Sequence, residues 1–514
     1  MQGDFMSDTS ASASAPPDFP QRLGHPAPLW MLFMSEFWER FAFYGIRWAM
    51  VLYVVAQFYN GQGTGEKPAS ELYGAYLALV YAGAIFGGYV ADKLIGYQRS
   101  ILLGAGIMAT GLFMLALPSE HLFKLGLATV IVGNGLFKPI ISTLVGKLYA
   151  QSDERRDSGF TIFYMGINLG ALLAPLITQY LAKKVFGIDD MPAYKIVFIA
   201  AGVGMIFSLI WFYLGRSQLK GIGLPAEHQG SLRNVSIVLV LGVLVGIPVF
   251  YFLLTIDATI LQVILMALLV GPAIMLFAEG VKEGKVARDK VIAMLIILTF
   301  NVFFWCYFEQ AGSSFNFLAE KIIERDIGFH SLFNALAGVT EFPVSWFQSV
   351  NSVAIILFAP IIAWIWIRMG RANPTIPRKF SLGLIFNGLA FLLLMYALTH
   401  LISSDTGKIP FWTLFMVYVI QSVGELCLSP IGLSMTTKLA PPRLTGFAMG
   451  AWFLSIAIGN NLAGIFAGEA SGETGMTTGS ALTAYTQGFW ILLIAGVLLF
   501  LISPLVQKLM HGAK

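Results

Sequence analysis

The stretch Glu36-Phe37-Trp38-Glu39-Arg40-Phe41-Ala42-Phe43-Tyr44-Gly45-Ile46-Arg47 puts four charged side chains inside an apolar run from about Pro28 to Phe58. That run is long enough to cross a bilayer. Stepping about 100° per residue, Glu36, Glu39, Arg40, Phe43, Tyr44 and Arg47 fall within roughly 140° of one helix surface. Each charge at the membrane centre costs at least about 2.5–3.5 kcal/mol, so this face turns toward a partner helix or an aqueous cavity. The chemistry open to it is charge pairing and the uptake of a proton.

Three further charges lie within apolar segments: Lys138, Glu309 and Glu425. With the first stretch they give three basic and four acidic groups, the near-neutral balance a buried set needs. The surplus carboxylate is a natural place for a proton. No metal cluster is visible, the six histidines are scattered, and no paired Asp-rich loop is present. The sequence therefore indicates no metal site, no catalytic residues and no cofactor beyond protons as a coupling ion. Cys306 and Cys427 both lie in apolar segments and read as packing residues.

These charges must be positioned by membrane helices. The chain has 514 residues, 57% hydrophobic and 12% charged, with a mean hydropathy of +0.75. That exceeds what a soluble domain carries and identifies an all-α polytopic membrane protein. Residues 1–27, rich in Ser, Ala and Pro, show no cleavable signal and read as a disordered tail. Fourteen spans follow, near 28–58, 72–95, 99–118, 122–148, 157–182, 192–214, 234–254, 259–279, 289–313, 346–367, 380–401, 410–437, 443–467 and 484–509. With the N-terminus inside, 21 basic residues fall in cytoplasmic segments and seven outside. This bias predicts a plasma-membrane protein with both termini cytoplasmic, as in a bacterial inner membrane.

Spans seven and eight carry no internal charge, and basic excursions flank them. They read as an insert, leaving six spans on either side. The expected division is a 28–214 N-terminal bundle, a 215–288 linker with a two-helix insert, a 289–509 C-terminal bundle and a 510–514 cytoplasmic tail. Two matching bundles are the outline of a transporter. The loop Gly87-Gly88-Tyr89-Val90-Ala91-Asp92-Lys93-Leu94-Ile95-Gly96-Tyr97-Gln98-Arg99 resembles the signature loop of the major facilitator superfamily.

Depth follows from orientation at about 1.5 Å per residue. Arg47 and Glu309 come out at similar depth on opposite bundles, and Lys138 and Glu425 both near mid-depth, giving two candidate cross-bundle pairs. Tyr44, Tyr81, Asn168, Trp305, Gln310, Asn351, Ser429 and Trp452 suit the lining of a wet site. The same residue types also serve as interfacial anchors, interhelical glue or simple packing. Glu66, Glu71, Asp153, Glu154, Glu324 and Asp326 read as loop charges without a role.

Five motifs carry a family resemblance: Glu36-x-x-Glu39-Arg40-Phe41-x-x-Tyr44-Gly45-x-Arg47, Gly135-Leu136-Phe137-Lys138-Pro139-x-x-Ser142, Phe163-Tyr164-x-x-Ile167-Asn168-x-Gly170, Trp346-Phe347-Gln348-Ser349-x-Asn351 and Gly424-Glu425-Leu426-x-x-Ser429-Pro430-x-Gly432. In this order they resemble the proton-dependent oligopeptide transporter family, within the major facilitator superfamily, of the prokaryotic type with two extra helices. The resemblance implies import of di- and tripeptides together with protons. It implies that Arg47 and Lys138 hold the peptide's carboxyl end, that Glu425 with Asn168 and Asn351 holds its amino end, and that Glu309 with Glu36, Glu39 and Arg40 couples protons. A zwitterionic peptide has fixed terminal charges, so opposite charges at the two ends of a cavity select backbone length and leave side chains to permissive pockets.

The sequence departs from the family pattern at three places. Phe43 stands where tyrosine is usual, Ile140 where an asparagine commonly follows the Lys-Pro pair, and Ser352 where proline follows Asn351. Such changes bear on substrate range, and a related cargo such as nitrate is the alternative within transport. A channel or an intramembrane enzyme fits the charged, two-bundle pattern less well, and nothing indicates a nucleic-acid partner.

Overall fold

The computed structural model describes residues 16–150, 152–188, 192–225 and 231–512. Fourteen helices among the described residues are long and apolar enough to cross a membrane. They are α1 (Pro28–Phe58), α2 (Gly63–Ile95), α3 (Tyr97–Leu115), α4 (Glu120–Lys147), α5 (Arg156–Val185), α6 (Tyr194–Leu219), α7 (Arg233–Thr255), α8 (Ala258–Glu283), α9 (Lys285–Gly312), α10 (Trp346–Ala372), α11 (Ile376–His400), α12 (Phe411–Leu439), α13 (Pro442–Ser471) and α14 (Thr478–Leu509). The largest boundary difference from the sequence reading is at the start of α2. Helix α2 begins at Gly63 rather than 72, because its charged first turn lies inside the protein and Glu66 is only 1% exposed.

Helices α1–α6 pack together, as do α9–α14, and the two groups meet mainly where α2 crosses α13 and α5 crosses α10. The α2–α13 crossing is unusually close. A Cβ on Gly74 would lie 2.6 Å from the Cα of Gly464, so only glycine on both sides allows the backbones to touch. The insert bridges the two groups. Tyr251 on α7 meets His121 on α4 at 2.8 Å, and on α8 Gln262 and the Ala258 carbonyl accept from Asn461 of α13, both at 2.9 Å.

Short segments close the ends. Two-residue strands β1 (Gln21–Arg22) and β2 (His25–Pro26) pair antiparallel, and β3 (Ile323–Glu324) pairs parallel with β4 (Ile409–Pro410). The first pair corrects the expectation of a disordered tail for residues 16–27; residues 1–15 lie outside the described part. Phe19 is buried, His25 contacts the Tyr149 hydroxyl at 2.8 Å, and Arg155 donates to Gln21 and to the Gly24 carbonyl. An apolar anchor and several hydrogen bonds therefore order a polar sequence. The C-terminal tail likewise folds back, with Met510 buried and His511 3.0 Å from Asp289. The end that carries the β1–β2 hairpin is labelled the inner end, and the opposite one the outer end, following the orientation expected from the charge bias.

Candidate functional site

On α1 the charged face looks into the protein as its spacing requires: Glu36, Glu39, Arg40 and Arg47 are all buried. Arg40 forms a fork on Glu39 and reaches Glu36 at 3.1 Å, while Asn134 of α4 donates to Glu39 at 3.1 Å. This cluster is held entirely within the N-terminal bundle. A planar guanidinium between two carboxylates is the arrangement that keeps buried charge tolerable, and one added proton would bring the cluster to neutrality.

Two turns further along, Arg47 crosses to the other bundle. Its Nη2 donates to Glu309 of α9 at 2.7 Å, and its Nε donates to the Tyr73 hydroxyl of α2 at 3.1 Å. Both ionic side chains are about nine-tenths buried. Removing one partner of such a pair costs about 3–5 kcal/mol. The pairing expected from depth is thus present, and Tyr73 is a partner that the sequence reading missed.

The second expected pair is not formed. The ammonium of Lys138 rests 4.1 Å from the centre of the Tyr81 ring and 5.9 Å from that of Phe43, with no carboxylate within 4 Å among the described residues. Glu425 instead accepts from Asn351 at 3.1 Å, and Asn351 also donates to Ser422 at 2.8 Å. Equal depth does not fix which way a side chain turns about its helix, and here aromatic faces take the cation. Phe43 is flanked by two cations, Lys138 and Arg40 at 5.1 Å. A ring face supplies what they need without a hydroxyl.

These groups nevertheless lie close to one another across the two bundles. Glu425 is within electrostatic reach of both Arg47 and Glu309, and Lys138 of Glu36, Glu39 and Glu309. Between them stands Tyr44, with the Arg47 guanidinium 5.7 Å from its ring centre. A void of about 10 Å³ links Arg47, Asn351, Tyr418 and Gln421 beneath the closed outer end. Tyr44, Tyr81, Lys138, Trp305 and Glu425 are half-buried, so solvent reaches them.

The remaining candidates divide. Trp305 donates to Asn301, which is held by Ser455. Asn168 spends its amide on the Tyr164 carbonyl at 3.0 Å rather than on Glu425. Gln310 is structural, donating to the Cys306 and Ala463 carbonyls and accepting from Ser314. Trp452 does not line the space in this conformation: it is 2% exposed, and its ring lies over Gly432 beside Phe380. Its indole N–H and the Ser429 hydroxyl are buried without a partner among the described residues.

Glu66, read from sequence as a loop charge, forms an ion pair with Lys321 beyond α9 and accepts the Met476 N–H at 2.8 Å. Lys67 approaches Glu469 at 3.6 Å, and Ser345 and Ser349 of the α10 start donate to Gln179 and the Leu172 carbonyl of α5. These contacts join the bundles at the outer end. At the opposite end Phe86 and Tyr89 of α2 are 71% and 65% exposed.

Two six-helix bundles with a two-helix insert, enclosing opposed buried charges, define a membrane transporter of the major facilitator fold. The POT family model matches residues 98–480. The chain is 33% identical over 523 residues to the peptide transporter YePEPT of Yersinia enterocolitica subsp. palearctica serotype O:3, covering 96% of each. It is 32% identical to dipeptide and tripeptide permease B of Photorhabdus luminescens, covering 95% of this chain and 98% of the relative. A crystal structure of a peptide transporter POT in complex with sulfate superposes with a TM-score of 0.81 at 32% identity, covering 96% of this chain and 98% of that one. The chain belongs to the POT family.

Proposed function

We propose that this protein imports di- and tripeptides across the plasma membrane by proton-coupled symport with alternating access. The observation that carries the reading is the Arg47–Glu309 pair at 2.7 Å, a link between the bundles that a single proton can break. Protonation of Glu309 frees Arg47, and the peptide carboxylate then binds Arg47 and Lys138. Glu425, Asn351 and Asn168 receive the amino end, while Tyr44, Tyr81, Trp305 and Ser429 form the permissive walls, and Trp452 packs behind them. Glu36, Glu39 and Arg40 take part in coupling. Protons are the only coupling species in this scheme; it needs no metal, cofactor or covalent step, so the protein is a carrier rather than an enzyme. The joined outer end and the exposed Phe86 and Tyr89 support an inward-facing state, with both termini in the cytoplasm of a bacterial cell. The names of the two relatives support a peptide cargo over nitrate, which would leave Glu425 and Asn351 without a ligand. Liposomes with an inward proton gradient should accumulate labelled dialanine, and Glu425→Ala should abolish accumulation. Undiminished accumulation by that variant would refute the site.

A further inference from the structure

Two recesses on the outside of the N-terminal bundle meet at one residue. The larger, about 640 Å³, is a crevice between α3, α4 and α7, walled by Leu102, Gly106, Leu125, Thr129, Val243 and Ile247. Its threonines are turned away from it in chemical terms: Thr110 and Thr129 donate to the Gly106 and Leu125 carbonyls of their own helices, so the wall is apolar. The smaller, about 330 Å³, lies at the inner end and is lined by Gln98, Arg99, Arg216 and Ser217. Leu102 lines both.

The chemistry of the pair changes along the membrane normal in a defined sense. The polar recess carries two guanidinium groups and no carboxylate in its lining. Arg216 stacks on the Tyr213 ring at 4.2 Å and has no ion-pair partner among the described residues, which leaves its in-plane N–H groups available. The apolar crevice then follows α3 from Leu102 to Met114, about 18 Å of helix rise. That is close to one leaflet, half of a hydrocarbon core about 30 Å thick. A soluble anion would satisfy Arg216 and leave the crevice empty, and a neutral lipid would fill the crevice and leave the Arg216 guanidinium without a counter-charge.

We infer that this double recess binds one anionic phospholipid of the inner leaflet, its phosphate on Arg99 and Arg216 and an acyl chain between α3, α4 and α7. The lipid would fasten the insert to the transport core, where α7 has little protein contact of its own: 11% of its apolar window is buried. The inference does not depend on the cargo.

Native mass spectrometry of the purified protein tests it, with phosphatidylglycerol and phosphatidylcholine supplied in equal amounts. Each basic group near a headgroup is worth about fivefold in affinity, so one phosphatidylglycerol should be retained well above phosphatidylcholine, and Arg216→Gln should cut that preference about fivefold. Gly106→Leu should prevent retention of either lipid. A Cβ at this position meets nothing within 4 Å, so the leucine enters the crevice without disturbing the helices. Lys282→Gln, an exposed cation at the inner end of α8, should leave retention unchanged. Equal retention of the two lipids by the parent protein would overturn the inference. So would undiminished retention in Gly106→Leu, or displacement of phosphatidylglycerol by glycerol phosphate, which has no chain.

Discussion

Replacing Lys321 with glutamine should loosen the outer end. In the closed arrangement Glu66 is 1% exposed and satisfied by Lys321 and the Met476 N–H, whereas the Lys321 side chain is 36% exposed. Exposed pairs are worth about 0–1 kcal/mol, and breaking a fully buried one costs about 3–5 kcal/mol. A pair with one buried and one half-wet partner falls between them, at about 1.5 kcal/mol, or about a tenfold shift toward outer opening. A cysteine introduced by Ser345→Cys reports this shift, because Ser345 is fully buried where α10 meets α5. The two native cysteines are buried and give little background. A membrane-impermeant maleimide should label it about tenfold faster with Lys321→Gln, and the exchange Glu66→Lys with Lys321→Glu should slow it again. Labelling that is unchanged by Lys321→Gln would refute the latch.

Two further outcomes follow from individual charged groups. Glu309→Gln removes the proton-sensitive partner of Arg47, so peptide exchange across the membrane should continue while its pH dependence disappears; counterflow compared in acidic and in alkaline buffer checks this. Glu320, in the outer recess beside Glu66, has its pKa raised, first by burial and then by repulsion from Glu66, against the pull of Arg325 and Lys321. A raised folded-state value means its contribution to stability is fully present below the unfolded value of 4.5 and is lost as pH rises through the folded one. Glu320→Gln should therefore raise the melting temperature at pH 8 and leave it unchanged near pH 4, and an equal effect at both would contradict the assignment.

Much of this architecture is legible in the sequence because hydrocarbon imposes a single length on every crossing helix. The α1 charges announce themselves by sitting where lipid forbids them, and depth alone pairs Arg47 with Glu309. Depth carries no information about rotation, which is why Lys138 rests on Tyr81 and Phe43 rather than reaching Glu425. Hydropathy also misreads a charged turn that is buried by protein instead of exposed to water. Glu66 looks like a loop residue until Lys321, 255 positions away, closes over it. The tail at residues 16–27 is polar in composition, and one buried phenylalanine with one histidine orders it. Trp452 suits a cavity wall by type, but the absence of a side chain at Gly432 lets its ring sink into the bundle.

The central claim is that one chamber holds opposite charges for the two ends of a peptide, and competition by end-blocked dipeptides addresses it most directly. A lost charge-assisted hydrogen bond costs about 1.5–3 kcal/mol, so dialanine amide and N-acetyl dialanine should each compete at least about tenfold less well than dialanine for uptake by the parent protein. Measured by binding, Lys138→Ala should distinguish the amide from the free peptide less sharply than the parent does, and Glu425→Ala should do the same for the acetylated form. Blocked and free peptides competing equally, or both variants keeping the full discrimination, would contradict the account.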